Sequence, residues 1–330
     1  MAHNIHKEKF LSHRKPAWHG LGLVVDKPVS AIEASRRIGI PRIYTESIKT
    51  KTGLAIPDYK AIISKEKGSK KTVLSVVSRD YQEITHGDFV NLWHRATGGA
   101  PIETIGVLGK GEVLFITTKL PSFEVRGEEL ENYLLAYNPL SGVEAVTGRE
   151  TPVRVVCQNT LMASAHNFRS QFRVIHVGGG ASTEQIETWL KNLWETRDAQ
   201  AKTLKEAYTL LSKTKVTDGQ TEQILNTVYP APGKPEHADE NTEEGLKALA
   251  EWERNAHYSG SHRMRIVALY AGDGKGSETQ ATKGTAWGLY NAVAEYENHE
   301  KKYRRASSMV FGVGARRLQK TFDECLTLAK

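Results

Sequence analysis

The sequence predicts an α+β fold: a mainly antiparallel sheet with inserted helices in the first half and a mostly helical second half. Three observations carry this. Between Tyr44 and Val77 short β-branched runs alternate with glycine- and lysine-rich turns, which is a strand pattern. Beyond Ser182 the apolar residues recur at helical spacing, as in Ile186, Leu190, Leu193 and Trp194. A Pro-rich acidic stretch from Tyr229 to Asn241 interrupts those helices and reads as an exposed connection.

In chain order, residues 16–25 form a glycine-punctuated entry segment in which Trp18 and His19 pack under a loop. Ser30 caps a short helix with Glu33 at the capping-box position, and Gly39-Ile40-Pro41 ends it. Strands are predicted at Ile43–Lys49, Tyr59–Ser64 and Thr72–Val77, joined as an antiparallel meander. Thr85 or His86 opens a helix that Gly98-Gly99 stops. Further strands are expected at Ile102–Leu108, Glu112–Lys119, Tyr133–Tyr137, Val143–Val146 and Pro152–Cys157, with Gly109-Lys110-Gly111 as a hairpin turn. Leu161–Asn167 reads as a helix and Phe172–Val177 as a strand.

In the second half, Ser182 or Thr183 caps a long helix through roughly Leu211, and another covers Thr221–Val228. A helix from Thr242 is expected to end at Gly260, one from Thr285 near Arg305, and the last covers Ala315–Ala329. The chain is therefore divided into an α+β sheet domain over 1–180 and a helical region over 181–330, with a mobile connection near 229–241.

Composition removes several function classes. No apolar run approaches the roughly 20 residues that a membrane-spanning helix needs, and Met1–Lys15 has no apolar core of a signal peptide. A cytoplasmic protein is the expectation. Cys157 and Cys325 are the two cysteines; far apart, they give neither zinc spacing nor a disulfide framework. No His-x-x-x-His or Cys-x-x-Cys occurs, so no metal and no cofactor are expected. Gly272-Asp-Gly-Lys-Gly-Ser277 has the wrong order for a phosphate loop and reads as a linker.

Charge is unevenly placed. Residues 1–80 carry 16 Lys+Arg against 7 Asp+Glu, residues 81–180 carry 8 against 10, residues 181–260 carry 9 against 14, and residues 261–330 carry 12 against 7. Basic ends around an acidic middle suit a polyanion surface.

Residues for such a ligand come from four places. Arg154 lies inside the apolar run Val153–Cys157, which stops on Gln158-Asn159-Thr160. A charge there pairs within the fold or faces a ligand anion beside the Asn159 amide. In Phe168–His176, a strand would put Arg169, Gln171 and Arg173 on one face, either a solvated strand face or a track for backbone phosphates that ends near His176. Trp287 and Asn291 share a helical stripe, either core packing or a platform for a base. Lys301, Lys302, Arg304 and Arg305 with Tyr303 form the plainest anion-binding stretch, with a solvated helix end as the alternative.

Three motifs together resemble the phage/plasmid-like family known as domain of unknown function 932: Trp18-His-Gly-Leu-Gly, Pro152-Val-Arg-Val-Val-Cys-Gln-Asn-Thr-Leu161 and Gly284-Thr-Ala-Trp-Gly-Leu-Tyr-Asn-Ala-Val293. Their order and spacing follow the family over nearly the whole chain. At Val177-Gly178 the chain departs from the Arg-x-x-His-Thr expected there: Arg173 and His176 remain and the threonine is missing. The resemblance implies a mobile-element origin, and by fold-level analogy a single-strand annealing role in recombination.

The reading is a non-enzymatic protein that binds single-stranded DNA and assembles into homo-oligomers, away from membranes. The basic N-terminal hairpins and Arg154, Arg169 and Arg173 would neutralise phosphates, with no catalytic residue. The alternatives are an enzyme acting on nucleotides or nucleic acid through Arg154, Asn159, Arg173 and His176, and a host-directed anti-defence protein that docks on a protein surface.

Overall fold

A computed structural model describes residues 4–330 except 18, 67, 69, 141, 143–144, 152–170, 175–181, 236–240 and 302–312, with the backbone alone at 171–174, 298 and 315. It is α+β, with ten strands, and eight α-helices among the described residues. Two compact units divide the chain. The first holds the strands, apart from the hairpin tip Glu124–Glu129, and runs to Thr203; the second is built mainly of Leu204–Lys330 with that tip.

The first unit contains two sheets. Seven strands lie in the order β10-β9-β8-β7-β6-β1-β2, comprising β1 (Ile5–His13), β2 (Leu23–Val25), β6 (Thr104–Leu108), β7 (Val113–Val125), β8 (Glu128–Pro139), β9 (Val146–Thr151) and β10 (Gln171–Val174). β1 pairs with β2 in parallel and with β6 antiparallel. One face of this sheet is covered by α1 (Ala31–Ile38), α2 (His86–Ala96) and α3 (Thr183–Glu195), and it buries Ile105, Leu114, Ile116, Leu134 and Val146 against Phe89, Trp93, Ile186 and Leu190. α3 thus packs in the sheet unit, through the same apolar residues that mark it as a helix in the sequence.

The three-stranded meander is the second sheet: β3 (Arg42–Lys49), β4 (Ala55–Lys65) and β5 (Thr72–Ser78), antiparallel in that order. Its inner face supplies Ile43, Ile62, Leu74 and Val77 to a small core with Tyr81 and Leu140.

Helix ends follow the local chemistry. Ser30 accepts from the Glu33 amide, and Gly39 closes α1 in the left-handed region at φ 61°. Thr85 caps α2 through the Asp88 amide. Ser182 forms a full capping box with Gln185. Residues 143–144, 152–157 and 161–167, where strand and helix were expected, lie outside the described residues in whole or in part.

Three expectations are corrected, and one strand is added. β1 replaces what the sequence left as an unassigned start, because a register shift between Ile5 and Phe10, with Lys7 and Glu8 at positive φ, breaks its alternation. The helix expected from Ser182 to Leu211 is two, α3 and α4 (Arg197–Lys213), parted at Thr196, whose hydroxyl bonds back to the Asn192 carbonyl. α6 (Glu243–Ala268) runs through Gly260, where a stop was expected. Glycine costs about 1 kcal/mol in a helix, and burial of Ile266 and Leu269 beyond it outweighs that. α7 (Ala286–Glu295) ends ten residues before Arg305 and passes into a π turn, Tyr296–Glu300.

The second unit is made of α5 (Asp218–Val228), α6, α7 and α8 (Val313–Leu328) with the larger part of α4. A second π turn, Leu269–Asp273, follows α6, and Gly272 at φ 151° breaks the helical path. Its core gathers Tyr208, Leu211, Leu225, Leu289, Val293, Leu318 and Phe322, all buried.

Candidate nucleic-acid interface

In an antiparallel ladder, residues paired across strands share a face. Registry therefore places Tyr44, Ile63 and Val73 in one row on the outer face of the meander. Glu46, Ala61 and Val76 make the next row, with Tyr59 opposite Ser78 and Arg42 opposite Lys65 beyond them. The inner face alternates with it, as Ile43, Ile62 and Val77 in the core require.

A bulge completes the outer face. Ile62 pairs with Ser75 while Ile63 pairs with Val73, so Leu74 is the extra residue in β5. Val73 and Val76 are three apart, and strict alternation would put them on opposite faces. The bulge brings both outward and leaves Leu74 on the small core.

The resulting surface is open: Tyr59 is 52% exposed, Val73 55% and Val76 57%. Cations surround it. The Arg42 guanidinium lies 5.9 Å and the Lys71 ammonium 5.8 Å from the Tyr44 ring centre. Lys71 also bonds Glu46 at 2.7 Å, which raises the lysine pKa and lowers that of the glutamate. Arg42, Lys49, Lys51, Lys65 and Lys70 are exposed and have no carboxylate partner among the described residues. Residues 42–79 hold nine Lys+Arg against three Asp+Glu. Aromatic faces for bases, with mobile cations for phosphates, are the two components that single-strand binding needs.

The residues singled out from the sequence are placed differently. Arg154, Asn159, Arg169, His176, Lys302, Arg304 and Arg305 lie outside the described residues. Of Arg173 the backbone is described, paired with Thr147 on β9. Trp287 is 5% exposed, its ring 4.3 Å from that of Tyr208 and stacked 5.6 Å from that of Tyr290. It is core, and no open ring face remains for a base. Asn291 is half-buried on the same helix.

Lys301 is half-buried beside a fully buried carboxylate. Glu297 accepts from the Tyr229 hydroxyl at 2.6 Å and has Lys301 Nζ and an Arg317 nitrogen each at 3.4 Å. Burial, and then Arg317, lower the Lys301 pKa against the pull of Glu297. Its charge is spent inside the helical unit. His262, bonded through Nδ1 to the Tyr296 hydroxyl, is pushed down to about 4, by burial first and then by Lys301 and Arg317.

Two further buried groups lie in the first unit, on the strand that leads into the Pro152–Leu161 motif. Arg149 and Glu150 on β9 are 4% and 3% exposed. Glu150 accepts from the Asn132 amide, and burial raises its carboxyl to about 7. Among the described residues no group of three or more His, Cys, Asp or Glu could hold a metal ion, and no helix is long and apolar enough to cross a membrane.

Compared with known families, residues 73–320 match the one described as Domain of unknown function (DUF932). No curated protein and no solved structure matches the chain.

Proposed function

The chain belongs to the family described as domain of unknown function DUF932, and from that premise, which carries no activity, we propose that it binds single-stranded nucleic acid on the outer face of the β3–β5 meander. The observation that supports this most is the pairing of exposed Tyr59, Val73 and Val76 and half-buried Tyr44 with Arg42 and Lys65 on the same face and Lys70 in the adjoining turn, cations with no carboxylate partner among the described residues. Bases would stack on the tyrosines and lie over the valines, while the lysines follow the backbone. Annealing in recombination, assembly into homo-oligomers and a phage or plasmid origin are part of the same proposal, since a strand held by its backbone keeps its pairing edges free.

The test is fluorescence anisotropy of labelled single- and double-stranded oligonucleotides over a salt series. Binding to the single strand is expected to weaken with salt, and Tyr59→Ala or Tyr44→Ala to cost about 1–3 kcal/mol each. Absence of single-strand binding at low salt, or tyrosine variants that bind like the parent, would remove the proposal. A second reading uses the same face: Tyr59, Val73 and Val76 would dock on a partner protein. It predicts no oligonucleotide binding at any salt concentration.

A further inference from the structure

The helical unit contains a cavity of about 700 Å³ between α5, α6 and the turns that precede α7. That is the size of small-molecule sites, which run from about 300 to 1,000 Å³. Its apolar wall is Leu225, Met264, Val267 and Ala271. Met264 and Val267 are 66% and 43% exposed, so this wall is open to a ligand.

The polar lining is not self-satisfied. Thr221 is 5% exposed, and its hydroxyl has no partner among the described residues. The Tyr270 hydroxyl, also out of solvent, has none among them either. Buried hydroxyls in folded proteins are nearly always paired, so two at one cavity are a signal.

The charges have a sign. Three carboxylates, Asp218, Glu222 and Glu278, line the cavity with two cations, Arg263 and Lys283. Lys283 is held by Glu278 at 2.5 Å, and the Arg263 guanidinium is turned to the Tyr229 carbonyl at 2.8 Å. Asp218 and Glu222 are left. They stand at i and i+4 on one face of α5, exposed, with no cation partner among the described residues.

We infer that this cavity is a binding site for a small organic cation with an apolar body. Its ammonium or guanidinium lies between Asp218 and Glu222, and its body covers Leu225, Met264 and Val267. Thr221 and Tyr270 line the same cavity and offer their unpartnered hydroxyls for the ligand's polar atoms. The site is independent of the meander and of its proposed ligand.

Calorimetry on the full chain at pH 7 would use three probes that share one ring system: tryptamine (cationic), tryptophol (neutral) and indole-3-acetate (anionic). Tryptamine is expected to bind saturably, with the other two at least tenfold weaker. Asp218→Asn with Glu222→Gln should lower tryptamine affinity to the tryptophol level. Both positions are exposed, so the fold is retained, and an unchanged melting temperature checks this. Met264→Lys, which adds a cation to the apolar wall and leaves both carboxylates in place, should also lower tryptamine affinity at least tenfold. The inference is overturned if tryptamine does not bind at millimolar concentration, if tryptophol binds as tightly, or if the double variant stays within twofold of the parent.

Discussion

At the scale of single residues, buried ionisable groups set the pH response. His86 is fully buried and donates from Nε2 to the Gly111 carbonyl oxygen at 2.8 Å, its one hydrogen bond among the described residues, and burial holds its pKa near 4. The unfolded chain takes up this proton near pH 6.5 and the folded chain near pH 4, so stability is full above about 6.5, falls through that window, and levels below it. The total effect is roughly 3 kcal/mol. His262, also held near 4, acts in the same direction, and Glu150, raised to about 7, in the opposite one. The contribution of His86 is therefore read as the difference between the parent and His86→Gln in urea unfolding at pH 7, 5.5 and 4.5, the variant declining less. Glu297 is the complementary case. Glu297→Gln leaves Lys301 and Arg317 facing an uncharged group and is expected to destabilise by about 3 kcal/mol, measured as a lower midpoint in urea. None of this was legible beforehand: His86 reads as a capping residue, and Glu297 as one acid among many in Glu295–Glu300.

Among elements, what is local was legible and what depends on pairing was not. Ser30, Thr85, Ser182 and Thr285 each announce a helix start, because a cap satisfies amides only three residues away. The meander was legible because its turns carry glycine and lysine. β1 was not, since its shifted register is set by β6, about a hundred residues later. Gly260 was misread because a helix-breaking cost of about 1 kcal/mol is smaller than what the next turns bury. Gly288, in α7, shows the opposite. A Cβ there would stand 2.0 Å from the Thr282 carbonyl oxygen. Gly288→Ala should therefore destabilise by about 1–3 kcal/mol despite the better helix propensity of alanine, and thermal unfolding would read it.

For the whole molecule, the charge asymmetry is the feature of the sequence on which the proposed function rests. It points to the N-terminal basic hairpins; of the individual candidates, Trp287 and Lys301 are placed inside the helical unit, and seven lie outside the described residues. Trp287 illustrates why: a helical stripe shows which residues share a face, but not whether that face meets solvent or Tyr208. The outer face of the meander was hidden for another reason, namely that a bulge shifts the phase of β5 and spoils simple alternation. If Arg42, Lys65, Lys70 and Lys71 each meet one phosphate, the logarithm of affinity should fall with the logarithm of salt at a slope of about −2.8 for a single strand. Lys65→Ala should reduce that slope by about 0.7. An anisotropy titration at four salt concentrations is sufficient.

The extra residue at Leu74 makes β5 tolerant of shortening. Every pair on either side of it, Ser64 with Thr72 and Ile62 with Ser75, survives its excision, because the partner strand has nothing opposite it. A chain lacking Leu74 would lose one side chain from the small core yet display the same outer surface. Excising Thr45 from the unbroken run Arg42–Ser47 would instead turn part of β3 inside out, exchanging Ile43 and Tyr44. Insertions and deletions accumulated over generations should then cluster at the first position and avoid the second.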